Sequence, residues 1–223
     1  MALFEAKDLR KEFPQPGGAV AALQGVTLAI EEGEFVALTG DSGSGKTTLL
    51  SLLGALLVPT GGSLRFRGEA LETASADRLA ELRRTRFGFV FQDFQLIRHL
   101  SVLDNVVIAH GLCGRRVQSI DAARLLGSLN LGHRLGHRPD ALSRGEMQRV
   151  ALARALIAKP SVIFADEPTA NLDKANSEIV MNILRTFNHK EGLTVVMATH
   201  HMDLAFSVSR EIRLSFGRQE QSP

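Results

Sequence analysis

The segment TGDSGSGKTT, residues 39–48, carries the spacing Gly40-x-x-x-x-Gly45-Lys46-Thr47. Glycines at such positions let successive backbone N–H groups converge on one anion. Gly40, Asp41, Ser42, Gly43, Ser44, Gly45, Lys46, Thr47 and Thr48 therefore form a candidate phosphate-binding set. The loop follows the apolar run EFVAL and precedes the helix-forming KTTLLSLL, the context in which this spacing cradles phosphate. A helix N-terminus at Lys46 would add the positive end of its dipole. Lys46 can reach β- and γ-phosphates, and the Thr47 hydroxyl can bind Mg²⁺. The plainer reading, a Gly/Ser turn capping a helix, leaves the lysine and the flanking strand without a role.

A second group of polar residues closes apolar runs. In SVIFADEPTANLD, Asp166 and Glu167 end a strand-like segment and Pro168 stops it. A single acid there would be a strand-end cap. Two in succession suggest separate tasks: Asp166 holding Mg²⁺ through its water shell, Glu167 polarising an attacking water as general base. Gln92 ends FGFVF and His200 ends TVVMATH in the same manner. Each is either an ordinary polar residue at a strand end or a phosphate-site group, Gln92 sensing Mg²⁺ and the attacking water, His200 offering an imidazole to the γ-phosphate. In ALSRGEMQRVALARAL, Ser143 and Glu146 make the S-x-x-E pattern of a helix capping box. The same start could be half of a phosphate site. His133 and His137 in LGHRLGHR have the i,i+4 spacing of a metal pair, but the two glycines argue against a helix and for a polar surface loop.

These side chains need strands and helices to hold them. LFEAKDLRKEF alternates as a strand, PQPGG breaks it, and GVTLAI resumes. EFVALTG reads as a short buried strand, and a helix is predicted from Lys46 through about Leu57, stopped by Pro59. GGSLRFRGE reads as a hairpin piece, SADRLAELRRTRF as a helix with a serine start, and FGFVF as a buried strand. From Asp93 to Ala158 the pattern is helical; Ser101 with Asp104, and Ser119, are candidate caps. SVIFADEP and LTVVMATH are strands around a helix near 176–190, and EIRLSFGRQEQSP is a strand with a ragged tail. The order implies a mostly parallel α/β core with an inserted helical lobe.

Composition narrows the class. Twenty-six Lys and Arg against 24 Asp and Glu give a net charge of +2, which offers no support for nucleic-acid binding. The single cysteine, Cys113, cannot form an internal disulfide and agrees with a reducing compartment. The longest apolar run, LLSLLGALLV, falls short of the roughly 18 residues a membrane span needs. No signal-peptide core or lipidation motif is present, so a membrane role is expected to come through a partner.

Taken in order, the phosphate loop at 40–47, Gln92, LSRGE at 142–146, VIFADEP at 162–168, ANLD at 170–173 and His200 resemble the ATP-binding cassette (ABC) ATPases over essentially the whole chain. FGFVFQDFQLIRHLSVLDNV and RVALARALIAKPSVIFADEPTANLD are similar to the lipoprotein-releasing and macrolide-exporter subfamily. The resemblance implies a RecA-like P-loop NTPase core with an antiparallel β subdomain at 1–92 and 159–223, and a helical subdomain at 93–158 carrying the signature segment. It implies ATP and Mg²⁺ as ligands, with Thr47, Gln92 and Asp166 on the metal. It also implies a head-to-tail dimer, in which Ser143 and Gly145 face the γ-phosphate of ATP on the other copy. Phe13 falls where the family stacks a tyrosine on adenine, and Asp173 on its dimer-contact loop. The groove around Gln92 would receive a coupling helix of an integral membrane permease, at the cytoplasmic face of the inner membrane. There Arg98 replaces a frequent proline. The signature departs from the usual LSGGQ at Arg144 and Glu146, which questions whether a left-handed backbone angle was needed at 144.

The expected function is therefore ATP hydrolysis that drives a permease, for lipoprotein release or export. The alternative is a cassette that signals through a membrane partner to cell-wall or division enzymes, with identical ATPase residues. A soluble nucleic-acid or translation cassette would carry long inserts or two cassettes. A small-molecule kinase would have no use for LSRGE or ANLD.

Overall fold

Two fourteen-residue strands, β1 (Ala2–Gln15) and β2 (Gly18–Glu31), open the chain as an antiparallel hairpin with Gln15 opposite Gly18. The computed structural model describes residues 2–111, 119–200 and 208–220; Cys113 lies outside them. Pairing continues through Pro14, where the sequence pattern predicted a break. Pro14 stands past Arg10, the last β1 residue paired with the neighbouring strand on its other side, so its missing N–H costs no ladder bond there. Pro16 and Gly17 make the turn, with Gly17 at φ 100°.

The remaining elements are β3 (Phe35–Thr39), α1 (Lys46–Leu53), β4 (Gly61–Phe66), β5 (Glu69–Ala70), α2 (Ala76–Thr85), β6 (Phe87–Val90), α3 (Val102–Gly111), α4 (Ser119–Ser128), α5 (Arg144–Leu156), β7 (Val162–Asp166), α6 (Lys174–Glu191), β8 (Thr194–Ala198), β9 (Arg210–Ser215) and β10 (Arg218–Gln219). They form two compact units, Met1–Arg83 with Thr194–Pro223, and Arg84–Leu193. The second takes in β6, β7 and α6 besides the helical stretch 93–158.

In the first unit an antiparallel sheet runs β2-β1-β4-β5. Beside it, β3 pairs in parallel with β8 on one side and β9 on the other. Every residue of β3 and β8 is buried, which is why both read as unbroken apolar runs. The tail that looked ragged contains β10, folded back antiparallel on β9. Helix α1 ends before the expected Leu57. Gly54 donates to the Leu50 carbonyl at 2.9 Å, Ala55 turns left-handed at φ 52°, and Leu56 donates back to Ser51. A glycine followed by a left-handed residue ends the helix well before Pro59 is reached.

In the second unit β6 and β7 are parallel, with Val90 beside Ala165. Phe164 on β7 meets the Phe87 ring edge-on at 5.4 Å. The helical core joins Val102 and Val106 of α3, Ala122 and Leu126 of α4, and Val150 and Ala153 of α5. Ser101 caps α3 as expected, its Oγ accepting the Asp104 N–H at 3.1 Å. The histidine-rich repeat is structural there: Val102 and Leu103 donate to the carbonyls of His137 and Leu135, at 2.8 and 3.0 Å.

Candidate nucleotide-binding site

β3 is buried to its last residue, so the chain must turn out of the sheet at Gly40. Gly40 has φ 134° and Gly45 φ 105°. A Cβ on Gly40 would lie 2.1 Å from the Leu214 carbonyl oxygen, and one on Gly45 would lie 2.7 Å from that of Ala22. Both positions therefore demand glycine twice over, by backbone angle and by space. Lys46 lies buried against the loop, its Nζ donating to the carbonyls of Gly40 at 2.7 Å and Asp41 at 2.9 Å. The Ser44 hydroxyl is buried inside the turn with no hydrogen-bond partner. Helix α1 starts at Lys46 with no side-chain cap and no acid in its first turn. An uncapped helix start, an orphaned hydroxyl and a lysine folded over the loop fit a bound phosphate.

The parallel register puts a second predicted residue at the same edge of this sheet. Leu38 is beside Ala198, and the Thr199 N–H donates to the Leu38 carbonyl at 3.0 Å. The exposed His200 thus leaves β8 where the phosphate loop leaves β3, the end of a parallel sheet at which ligands bind. Phe13 is half-buried on β1, with Lys11 Nζ 5.3 Å from its ring centre. Its hairpin partner β2 supplies Ala22 and Leu23, the residues packed against Gly45.

The other predicted residues belong to the second unit. There Asp166 ends β7, and Gln92 follows β6 at the corresponding edge. Glu167 is left-handed at φ 47°, which turns the chain sharply before Pro168. The buried Gln148 of α5 donates to the Pro168 carbonyl at 2.8 Å. At the start of α5 the capping box is complete. Ser143 Oγ accepts the Glu146 N–H at 3.2 Å, and the Glu146 carboxylate accepts the Ser143 N–H at 2.8 Å. The Ser143 N–H and the Arg134 guanidinium, 2.8 Å from Glu146, pull that carboxyl down to about 2. Arg144 is the exposed first residue of the helix and is absent from the left-handed residues, so no glycine is required there.

Gly145 is required for another reason. A Cβ on it would fall 2.0 Å from Asn176 Oδ1. Asn176 is held by Asp173, the N-cap of α6, whose carboxylate accepts its backbone N–H at 2.8 Å and its amide at 2.9 Å. These bonds keep the Asp173 pKa below the usual carboxylate value. Arg149 of α5 donates to Asn176 Oδ1 at 3.2 Å. Asn176 thus joins the LSRGE and ANLD segments, a link the sequence reading missed. Gln148, Arg149 and Arg154 were missed as well; the available signal was three polar residues on a helix whose other positions are mostly apolar and buried. Among the described residues no cluster of three or more His, Cys, Asp or Glu could hold a metal ion, and His133 lies 60% exposed, 3.9 Å from Glu146.

Known proteins resemble this chain along nearly its whole length. A profile of the ABC transporter family matches residues 23–170. The lipoprotein-releasing system ATP-binding protein LolD of Geobacter metallireducens is 42% identical over 219 residues, 97% of each chain. The macrolide export ATP-binding/permease protein MacB of Chlorobaculum tepidum is 45% identical over 96% of this chain. The chain spans about a third of the length of the MacB relatives it matches. The ATP-binding cassette MJ0796, solved as a dimer bound to ADP and Pi, superposes with a TM-score of 0.91 at 37% identity, covering 98% of this chain and 97% of that one. The architecture is thus a RecA-like P-loop NTPase core with an antiparallel β-sheet and an inserted helical subdomain.

Proposed function

The chain belongs to the ABC transporter family of ATPases, and we propose that it drives a membrane permease for lipoprotein release or export. The observation that carries this reading is the 42% identity to a lipoprotein-releasing ATP-binding protein, spread over 97% of both chains. No helix among the described residues is long and apolar enough to cross a membrane. From the likeness to the lipoprotein-releasing ATP-binding protein we assign the membrane step to a permease and the chain to its cytoplasmic face, with residues 93–158 as the helical subdomain.

In this reading Gly40 to Thr48 enclose the phosphates of ATP, and Phe13 stacks on adenine. The Lys46 ammonium exchanges the loop carbonyls for β- and γ-phosphate oxygens. The hydroxyl of Thr47 and the carboxylate of Asp166 are hard oxygen donors suited to Mg²⁺, which takes one or two protein ligands and completes its shell with water and phosphate. Bound there, Mg²⁺ would neutralise charge on the phosphates. Glu167 takes a proton from the attacking water, Gln92 orients that water, and His200 donates to the γ-phosphate. Two copies pair head to tail through Asp173 and its neighbours, and Ser143 and Gly145 of each complete the site of the other. ATP closes the pair, hydrolysis parts it, and the permease converts that cycle into movement of its cargo.

The test is Glu167→Gln. It should bind ATP as the parent does and lose turnover by about 10²-fold or more, the scale of removing a general base. Steady-state hydrolysis at the parent rate would overturn the assignment.

A further inference from the structure

Two consecutive residues just past Gln92, Phe94 at φ 58° and Gln95 at φ 48°, are left-handed without being glycine. L-residues do not hold such a pair unaided. Within the bend the Phe94 N–H donates to the Phe91 carbonyl at 3.2 Å and the Gln95 N–H to that of Asp93, while Asn171 reaches the Gln92 carbonyl only at 3.5 Å. The carbonyls of both left-handed residues are held by a side chain from another element. Arg154, in the last turn of α5, donates from Nη2 to the Phe94 carbonyl at 2.9 Å and from Nη1 to the Gln95 carbonyl. Burial pulls this guanidinium below its usual pKa, and among the described ion pairs none involves Arg154. A half-buried cation facing two carbonyls acts through the geometry of its planar fork more than through charge pairing.

The next stretch has an anchor of its own. Asn105, wholly buried on α3, accepts the Ile97 N–H at 2.7 Å and donates to the carbonyls of Ile97 at 3.0 Å and Ser101 at 2.9 Å. Asn105 thus fixes residues 97–101, and Arg154 fixes the bend between them and Gln92. The helix that begins with Ser143 and Gly145 is tied by its far end to the backbone that presents Gln92.

We propose that Arg154 is a positioning residue for ATP hydrolysis, clamping the Phe94–Gln95 bend so that the Gln92 carboxamide is held in its working place. This rests on the role of Gln92 given under the proposed function. Losing the clamp relaxes the bend and lets Gln92 wander, while the phosphate loop still binds ATP. The signature is a lower kcat at unchanged KM, and an effect that requires Gln92 to be present.

The experiment is a double-mutant cycle on steady-state ATPase activity, with Arg154→Met and Gln92→Ala singly and together and thermal melts confirming folding. Arg154→Met should lower kcat by about tenfold with KM for ATP within about twofold, and Arg154→Lys should recover part of the loss. In the Gln92→Ala background, Arg154→Met should change kcat by less than about twofold. The same tenfold loss in both backgrounds would mark a merely structural role and overturn the proposal alone. A folded Arg154→Met at the parent kcat would do so too. Parent kcat in Gln92→Ala would overturn the role of Gln92 and the proposal with it. Where Arg154→Met fails to fold, Arg154→Lys carries the same cycle.

Discussion

At the scale of single residues the signature segment separates what it must keep from what it can vary. Gly145 and Arg144 are neighbours, and the family's usual LSGGQ has glycine at both, yet their surroundings differ. The Gly145 position is closed by Asn176 Oδ1, 2.0 Å from where a Cβ would stand. Arg144 is exposed at the first helical position in ordinary right-handed conformation. Gly145→Ala should force Asn176 away from Asp173 and Arg149, with the 1–3 kcal/mol cost typical of overpacking, and should lower ATPase activity. Arg144→Gly should cost less than about 1 kcal/mol, the helix-propensity difference, and keep most of the activity. Chemical denaturation and steady-state turnover on both variants check this. Equal losses would mean that the arginine has become part of the chemistry.

At the scale of elements, helix α5 organises the second unit, and its first turn depends on ionisation. The Glu146 carboxyl is lowered from 4.5 to about 2 in the folded chain. A lowered acid adds stability that is fully present above the unfolded value and is lost as pH falls through the folded one. Glu146→Gln keeps acceptor and size but not the charge facing Arg134 and the helix N-terminus. The parent should therefore exceed this variant by about 2 kcal/mol at neutral pH, with the gap steady above pH 5 and shrinking as pH drops below about 4.5. Thermal unfolding of the pair across that range measures the gap; one that widens on acidification would refute the assignment. The same helix shows what sequence reveals. Its start was legible because S-x-x-E works by local spacing, as does the Gly45-Lys46-Thr47 run. The partners of Gln148, Arg149 and Arg154 were not, because Pro168, Asn176 and Phe94 are brought to them by the fold. Element ends failed for a related reason. Pro14 stayed in a strand because its neighbour had already ended, and α1 stopped at Gly54 because a left-handed Ala55 followed.

At the scale of the whole molecule, the proposed cycle requires two copies, and Ser143 is where that requirement can be isolated. Its Oγ accepts the Glu146 N–H, and its hydroxyl, at an exposed helix start, donates to the Glu146 carboxylate and can rotate to another acceptor. In the proposed pair that donor meets the γ-phosphate held by the other copy. A bulky cation at 143 would obstruct the approach while leaving Gly40 to Thr48 of its own chain intact. Glu167→Gln, which should trap ATP unhydrolysed, provides the background. In it, ATP should shift the chain from monomer to dimer at micromolar concentration in size-exclusion or sedimentation runs. Adding Ser143→Arg should weaken that pairing at least tenfold, about 1.4 kcal/mol, while a fluorescent ATP analogue still binds each monomer. Unimpaired ATP-dependent pairing in the double variant would remove Ser143 from the shared site and with it the head-to-tail arrangement. Loss of analogue binding together with pairing would instead place Ser143 in its own chain's nucleotide site.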